Sequence, residues 1–379
     1  MASSINILVN LATMKAGGGQ NVALNFLYAI RSINVPGVDC IFMVAKESEA
    51  HRFLANQLDL KYVAVPTYPV ARILFEILVG PFLLRKHHVD IVYSYFGYAF
   101  FFSKVPQVCG CAVSNLFFPE VDFWQGYRGL CRLKRLLVDK YRLFTVRRAT
   151  ALIFENTLLE DRGRHLFGLR KTFTIRPSIH VPDNHAHYAL PVQQSVKNRG
   201  LFLCGWHLNK NVMRIPEIAA ALRQAGQPFN FVLTASNNDS VLHRHFVALT
   251  EQHGVSDMIL LPGTARKDQL ASLYAQVDFV FLLSKIESFS NNIIEAWYFG
   301  KPLIVADEPW ARALCGAAAE YVARESPVEI AQSIKGLIDN PERVAVLVNQ
   351  GYNLLKEYPD IRYRIREELQ YVREVYETL

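Results

Sequence analysis

Between positions 279 and 306 the apolar pattern changes period twice, and this constrains the fold more than any other feature. Residues 279–283 form an unbroken apolar run, bounded by Asp278 before and by Ser284 and Lys285 after. That is the pattern of a strand buried on both faces. Ile293, Ile294, Trp297 and Tyr298 then recur at helical spacing, and Gly300 followed by Pro302 stops the helix. Residues 303–306 begin the next strand. Strand, loop, helix and strand in so short a stretch make the repeating unit of a parallel sheet covered by helices.

The loop of this unit carries the chemistry. Ser288, Ser290, Asn291 and Asn292 are small polar residues suited to cap a helix. A helix start presents free N–H groups and a partial positive charge, which suit a phosphate. Glu287 stands at the end of the strand and Glu295 about one turn into the helix, with seven residues between them. Amides for a phosphate and carboxylates for hydroxyl groups together fit a phosphate-linked sugar. The plainer alternative makes Glu287 a solvated loop residue and pairs Glu295 with a nearby cation.

The second half of the chain repeats the alternation from its start. Strands are expected over 200–204, 229–234 and 258–261, and helices over 213–225, 243–253 and 267–276. A helix is also expected over 325–339. Gly205, Trp206, His207, Leu208, Asn209, Lys210 and Asn211 form the first loop. Lys210 at a turn into a helix is a mobile charge beside free amides, although alone it reads equally as a solvated lysine. Two such loops in one parallel sheet converge at its carboxyl edge, where these folds bind ligands.

In the first half, strands are expected over 5–11, 39–44, 61–65, 90–94, 151–154 and 172–175. Lys15 to Gln20 is a glycine-rich loop leading into a helix over 22–33. Such a loop lets a ligand approach the backbone, or it is a tight turn needing positive φ. Val22 occupies the third glycine position of a dinucleotide fingerprint, but Asp39 downstream leaves a Rossmann dehydrogenase open from this end alone. Residues 69–84 read as one apolar helix ending in a basic cluster. Residues 183–199 are polar and rich in breakers, which reads as a linker.

Residues 115–127 are aromatic and acidic. Glu120, Asp122, Trp124 and Tyr127 suit an acceptor-sugar site, and the preferred alternative is a loop anchored by its aromatics in the core. Residues 128–148 hold eight cations against the single anion Asp139, with leucines between them at helical spacing. A basic amphipathic helix suits an anionic membrane surface. The competing reading is a surface helix whose apolar side faces the core. RNA is a weaker third reading, and with no accompanying motif no nucleic-acid partner is expected.

At 379 residues two domains are expected. Lys and Arg number 41 against 34 Asp and Glu, so a phosphorylated or anionic partner is favoured. Six cysteines are scattered without C-x-x-C pairs, which suggests reduced thiols in the cytoplasm and no zinc framework. No signal segment and no apolar run of spanning length is read from the sequence.

Glu287, seven residues, Glu295, then Ala296 and Gly300-Lys301-Pro302 resembles the E-x7-E signature of the family 4 retaining glycosyltransferases. The family loop more often reads E-G-F-G where this chain has Glu287-Ser288-Phe289-Ser290. The resemblance implies the GT-B fold: two Rossmann-like α/β domains, each a mostly parallel sheet flanked by helices, with a cleft between them. It implies an acceptor-binding domain over 1–182, a linker over 183–199, a nucleotide-sugar domain over 200–357, and a helix over 358–379 returning to the first domain. The implied activity moves a hexose-type sugar from a UDP- or GDP-linked donor to a glycan or lipid-linked acceptor, with retention and with neither metal nor other cofactor. Glu287 and Lys210 would be catalytic. Gly18, Gly19, Gly205, His207, Lys210, Asn211, Thr264, Ser288, Phe289, Ser290, Asn291, Asn292 and Glu295 would bind the donor.

Trp206-His207 stands where the family places an arginine, and Tyr93 to Gly97 lacks the histidine frequent there. The expected role is in cell-surface polysaccharide or glycolipid synthesis, and the expected place is the cytoplasm, either free or peripheral on the cytoplasmic face of the inner membrane. A nucleotide-sugar epimerase of the same fold and a non-catalytic nucleotide-sugar-binding protein are the alternatives.

Overall fold

Short, unbroken apolar runs such as Ile7 to Val9 and Phe279 to Leu282 are buried on both faces, as strands of parallel sheets are. The computed structural model describes residues 4–15, 17–100, 103–178, 186–190, 198–237 and 240–379. The chain divides into two compact units. The first comprises Met1–Glu120, Tyr127–His180 and Pro359–Leu379, and the second Val121–Gly126 and Val181–Tyr358.

In unit one the strands are β1 (Ile5–Asn10), β2 (Val38–Ala45), β3 (Lys61–Val65), β4 (Ile91–Ser94), β5 (Gln107–Cys111), β6 (Ala151–Phe154) and β7 (Thr172–Thr174). They pair in parallel in the order β3-β2-β1-β4-β5-β6-β7, so the winding reverses between β1 and β4. The final helix, Ile361–Glu377, belongs to this unit: Ile365, Leu369, Val372 and Val375 are buried with Ile7, Val9 and Phe26. At its head Arg364 is buried. Its Nε donates to Glu368 at 2.8 Å and its Nη2 to Glu155 at 3.2 Å.

Two expectations are corrected here. The glycines are not a loop: the helix starts at Gly17, so Gly18 and Gly19 lie in its first turn, without positive φ. The apolar helix over 69–84 is two helices, Pro69–Leu78 and Gly80–Lys86. Pro81 has no N–H to continue the first ladder and is suited to begin the second. Strand β5 was not anticipated, because Gln-Val-Cys-Gly-Cys is short and weak in β-formers.

Unit two carries β8 (Arg199–Phe202), β9 (Asn230–Leu233), β10 (Ile259–Leu260), β11 (Phe279–Leu282), β12 (Leu303–Ala306) and β13 (Glu320–Val322). All pairings are parallel, in the order β10-β9-β8-β11-β12-β13, so the winding reverses between β8 and β11. Gly200 is required there. A Cβ at this position would lie 2.2 Å from the Phe281 ring and 2.9 Å from that of Phe229. The Phe202 and Phe281 rings stack across β8 and β11, 4.9 Å apart. Gly300, with φ of +64°, ends the helix Asn291–Tyr298.

Most of the stretch read as a linker lies outside the described residues. Residues 186–190 are fastened to unit two: Tyr188 N donates to Ser272 Oγ at 3.0 Å, and Tyr188 Oη to the Gly263 carbonyl at 2.7 Å. The helices Pro309–Cys315 and Pro341–Leu355 and strand β13 were also not anticipated. Among the described residues no helix is long and apolar enough to cross a membrane.

Candidate functional site

In open α/β sheets the loops that flank the reversal of strand order diverge and leave a crevice at the carboxyl edge. In unit two those loops follow β8 and β11, and they contain residues 203–211 and 283–290. They are joined at the centre by Asn209, which is buried. Its Nδ2 donates to the Ile286 carbonyl at 2.9 Å, and its Oδ1 accepts from Ile286 N at 3.1 Å. Its own carbonyl accepts from Lys285 N at 2.8 Å. Asn209 thus completes a strand-like exchange between two loops that are not strands.

That junction brings Lys210 and Glu287 together, with Nζ 2.6 Å from Oε1. Burial opposes the ammonium charge, but the Glu287 carboxylate more than offsets this and holds Lys210 above the ordinary lysine range. Cys204, close to both, is pushed up to about 12 by burial and stays a thiol. Asn211 adopts the left-handed conformation with φ of +59°, which asparagine tolerates. Its Nδ2 holds the Arg324 carbonyl at 2.7 Å.

The helix Asn291–Tyr298 begins beside Glu287. Ser290 is its N-cap but gives no side-chain cap, so the leading amides of Asn291 and Asn292 head the helix without one. Asn292 is buried instead, and its Nδ2 donates to the Leu203 carbonyl at 2.9 Å, which pins the helix start to the end of β8. Ser288 and Ser290 are buried, Asn291 is exposed, and the Phe289 ring packs 5.8 Å from that of Tyr358.

Glu295 is buried one turn further along and accepts from Tyr274 Oη at 3.2 Å. Burial pushes its carboxyl up to about 7, against the Tyr274 hydrogen bond and the charge of Lys267. Burial in turn pulls Lys267 below the ordinary lysine range, opposed by Glu295. Neither Asn209 nor Lys267 was singled out from sequence. A lone asparagine in a loop and a lone lysine at the start of a helical turn carry no periodic signal, and only the packing shows their partners.

The remaining expected donor residues fall as follows. Trp206 is turned into the unit: its Nε1 donates to the Ser236 carbonyl at 2.7 Å and its ring meets Phe246. His207 Nδ1 accepts from Asn209 N at 3.1 Å, and its ring lies 5.6 Å from Phe123. Gly205 and Thr264 are exposed. Gly18 and Gly19 belong to unit one, in the helix that follows β1 at that sheet's own reversal.

The four expected acceptor residues are divided between the units. Glu120, in unit one, receives Arg162 Nη2 on both oxygens, at 2.6 and 2.7 Å. Tyr127, also in unit one, lies under the Arg135 guanidinium at 4.0 Å. Asp122 and Trp124 belong to unit two, and Trp124 is buried edge-on to Phe123. Among the described residues no group of three or more metal-ligating side chains is assembled.

Unit two therefore presents a cation, two carboxylates and a helix N-terminus at one sheet reversal. Comparison with known proteins bears on that segment directly. Residues 204–354 match the family model of the glycosyl transferases group 1. The matched segment begins just after β8 and includes Lys210, Glu287 and Glu295.

No curated protein matches the chain in sequence. Solved structures resemble it along almost its whole length. A glycosyltransferase from Rickettsia africae aligns with a TM-score of 0.72 at 13% identity, covering 98% of both chains. Sucrose-phosphate synthase from Thermosynechococcus elongatus aligns at 0.74 and 15%, covering 99% of this chain and all of its own. Anabaena Alr3699/HepE, solved in complex with UDP and glucose, aligns at 0.66 and 16%, with 99% and 100% covered. At these identities the likeness is one of fold, and the fold is that of GT-B glycosyltransferases: two parallel sheets, each flanked by helices.

Proposed function

We infer that the chain is a glycosyltransferase that moves a hexose-type sugar from a nucleotide diphosphate sugar to a glycan or lipid-linked acceptor, with retention of configuration. The observation that carries this reading is the Lys210–Glu287 pair at 2.6 Å, set by Asn209 beside the start of the helix Asn291–Tyr298. The group 1 match over this segment supports it, as does the UDP and glucose bound by a protein of the same fold.

In this reading Lys210 and the amides of Ser290 to Asn292 hold the donor diphosphate. They offset the negative charge that grows as the sugar leaves, because fixed dipoles and charges need no reorganisation at that moment. These donors take the part a divalent metal plays elsewhere. Glu287 accepts from hydroxyls of the donor sugar while it shares Lys210 with the phosphates. Glu295 accepts from ribose hydroxyls, Gly205, His207, Asn211, Ser288 and Phe289 line the donor, and Thr264 follows the segment that receives the base. Gly18 and Gly19, at a helix start in unit one, are further candidates for binding phosphate or acceptor. Attack from the face the diphosphate leaves retains the anomeric configuration. Glu120, Asp122, Trp124 and Tyr127 are the acceptor candidates.

The test is a thermal-shift screen with UDP, GDP and their sugars, followed by turnover with the donor so found. Lys210→Ala and Glu295→Ala should each lose turnover with the fold retained. Wild-type turnover in both variants would overturn the reading.

A further inference from the structure

The helix Gly129–Arg148 in unit one is inside out. Arg132, Arg135, Asp139, Arg142 and Val146 recur at three- and four-residue spacing and form the side turned toward the unit. The polar members of that stripe have partners there. Asp139 accepts from Asn115 Nδ2 at 2.7 Å and from Arg142 Nη1 at 3.2 Å. Arg142 Nε donates to Tyr98 Oη at 2.7 Å, and Arg135 lies over the Tyr127 ring. The reading in which the apolar side faces the core is thereby corrected.

The leucines point the other way. Leu130 is 84% exposed, Leu137 57% and Leu133 52%, and Leu136, Val138 and Phe144 are exposed beside them. Exposed Lys134, Lys140, Arg147 and Arg148 are interleaved, and the helix's one acid, Asp139, lies on the inner stripe. Tyr141 lies close enough to the Arg72–Glu76 ion pair for both charges to act on its hydroxyl. From the helices that carry and follow that pair, Leu74, Leu78 and Phe82 are also exposed.

Soluble surfaces rarely expose so contiguous an apolar patch without an occupant. The occupant must accept leucine side chains and many cations at once. A second copy of this face would bring like charges together. We propose that this outer face inserts into the headgroup–acyl boundary of an anionic phospholipid bilayer, its leucines entering the boundary and its lysines and arginines meeting lipid phosphates. The proposal stands apart from the sugar-transfer reading, because vesicle binding requires neither donor nor acceptor.

The test is flotation of the full chain with vesicles of phosphatidylcholine alone and of phosphatidylcholine with phosphatidylglycerol. Circular dichroism and the melting temperature of each variant are recorded in parallel as a control on the fold. The wild type should float with the anionic vesicles and not with the neutral ones. Leu133→Asp with Leu137→Asp should weaken binding about tenfold or more, and Lys134→Glu with Lys140→Glu likewise. Raising salt from about 0.1 to about 0.5 M should weaken wild-type binding without abolishing it, since only the charge contribution is screened.

Cys131 lies on the same helix and is exposed, whereas Cys40 and Cys204 are half-buried and Cys109, Cys111 and Cys315 are buried. An environment-sensitive dye on Cys131 in the otherwise unaltered protein should shift to the blue on adding anionic vesicles. Absence of binding to anionic vesicles at low salt, equal binding to neutral ones, or leucine variants that bind as the wild type does would each overturn the proposal. A leucine-dependent dimer in solution would overturn it in favour of a second copy.

Discussion

Asn209 and Ile286 exchange two hydrogen bonds, amide to carbonyl at 2.9 Å and backbone N–H to amide oxygen at 3.1 Å, across 77 positions of the chain. The backbone bond from Lys285 N to the Asn209 carbonyl, at 2.8 Å, runs beside them and fixes the loop after β8 against the loop after β11. The relative position of Lys210 and Glu287 follows from these bonds.

Asn209→Ala should therefore damage the site more than its size suggests. It leaves a buried N–H and a buried carbonyl of Ile286 without these partners, at about 1–3 kcal/mol each at most. Chemical denaturation should show a loss of that order. Titration calorimetry with the donor nucleotide should show weakened binding, although Asn209 itself touches no ligand in this account.

Glu295 makes stability depend on pH. Burial raises its carboxyl to about 7 from an ordinary 4.5. The folded chain then holds the proton where the unfolded chain has lost it. The contribution is fully present below the unfolded value and is lost as pH rises through the folded one. Glu295→Gln keeps an acceptor for Tyr274 and cannot ionise. Its melting temperature should gain on the wild type between pH 5 and pH 8, by a few degrees. Parallel melting curves would contradict the assignment. Ribose hydroxyls donating to Glu295 favour the ionised form, so nucleotide affinity should rise over this window more steeply in the wild type than in Glu295→Gln.

Arg364 answers for two buried carboxyls. Glu155 and Glu368 are both pushed upward by burial, and the Arg364 charge draws them back. Arg364→Met should destabilise unit one by about 3–5 kcal/mol, because it leaves buried acid uncompensated. Adding Glu368→Gln should recover part of that loss. Limited proteolysis should show the helix Ile361–Glu377 released first in the single variant.

Much of the fold was legible because strands of a parallel sheet are continuous apolar runs. The runs over 61–65, 151–154 and 279–283 are found as β3, β6 and β11. What escaped was short or poor in β-formers: β5, with its Gly and two Cys, and β13, of three residues. The stretch over 69–84 reads as one helix but forms two, because its apolar pattern continues through Pro81, which the first helix's backbone cannot pass. At the candidate site Lys210, Glu287 and Glu295 stand out by type and spacing, whereas Lys267 does not. Asn209 does not, since one asparagine in a loop reads as a turn residue until its partners are seen. Leucine periodicity shows that the helix Gly129–Arg148 is amphipathic, but it is silent on which side meets the protein.

We propose that the turns after β8 and β11 jointly hold a pyrophosphate. A crystal structure of the chain with a uridine or guanosine diphosphate sugar tests it most directly. The account predicts phosphate oxygens about 3 Å from Lys210 Nζ and from the amides at the start of the helix Asn291–Tyr298, with sugar hydroxyls on Glu287 and ribose on Glu295. A nucleotide bound elsewhere, with Lys210 and Glu287 still paired and Glu295 out of reach, would contradict it.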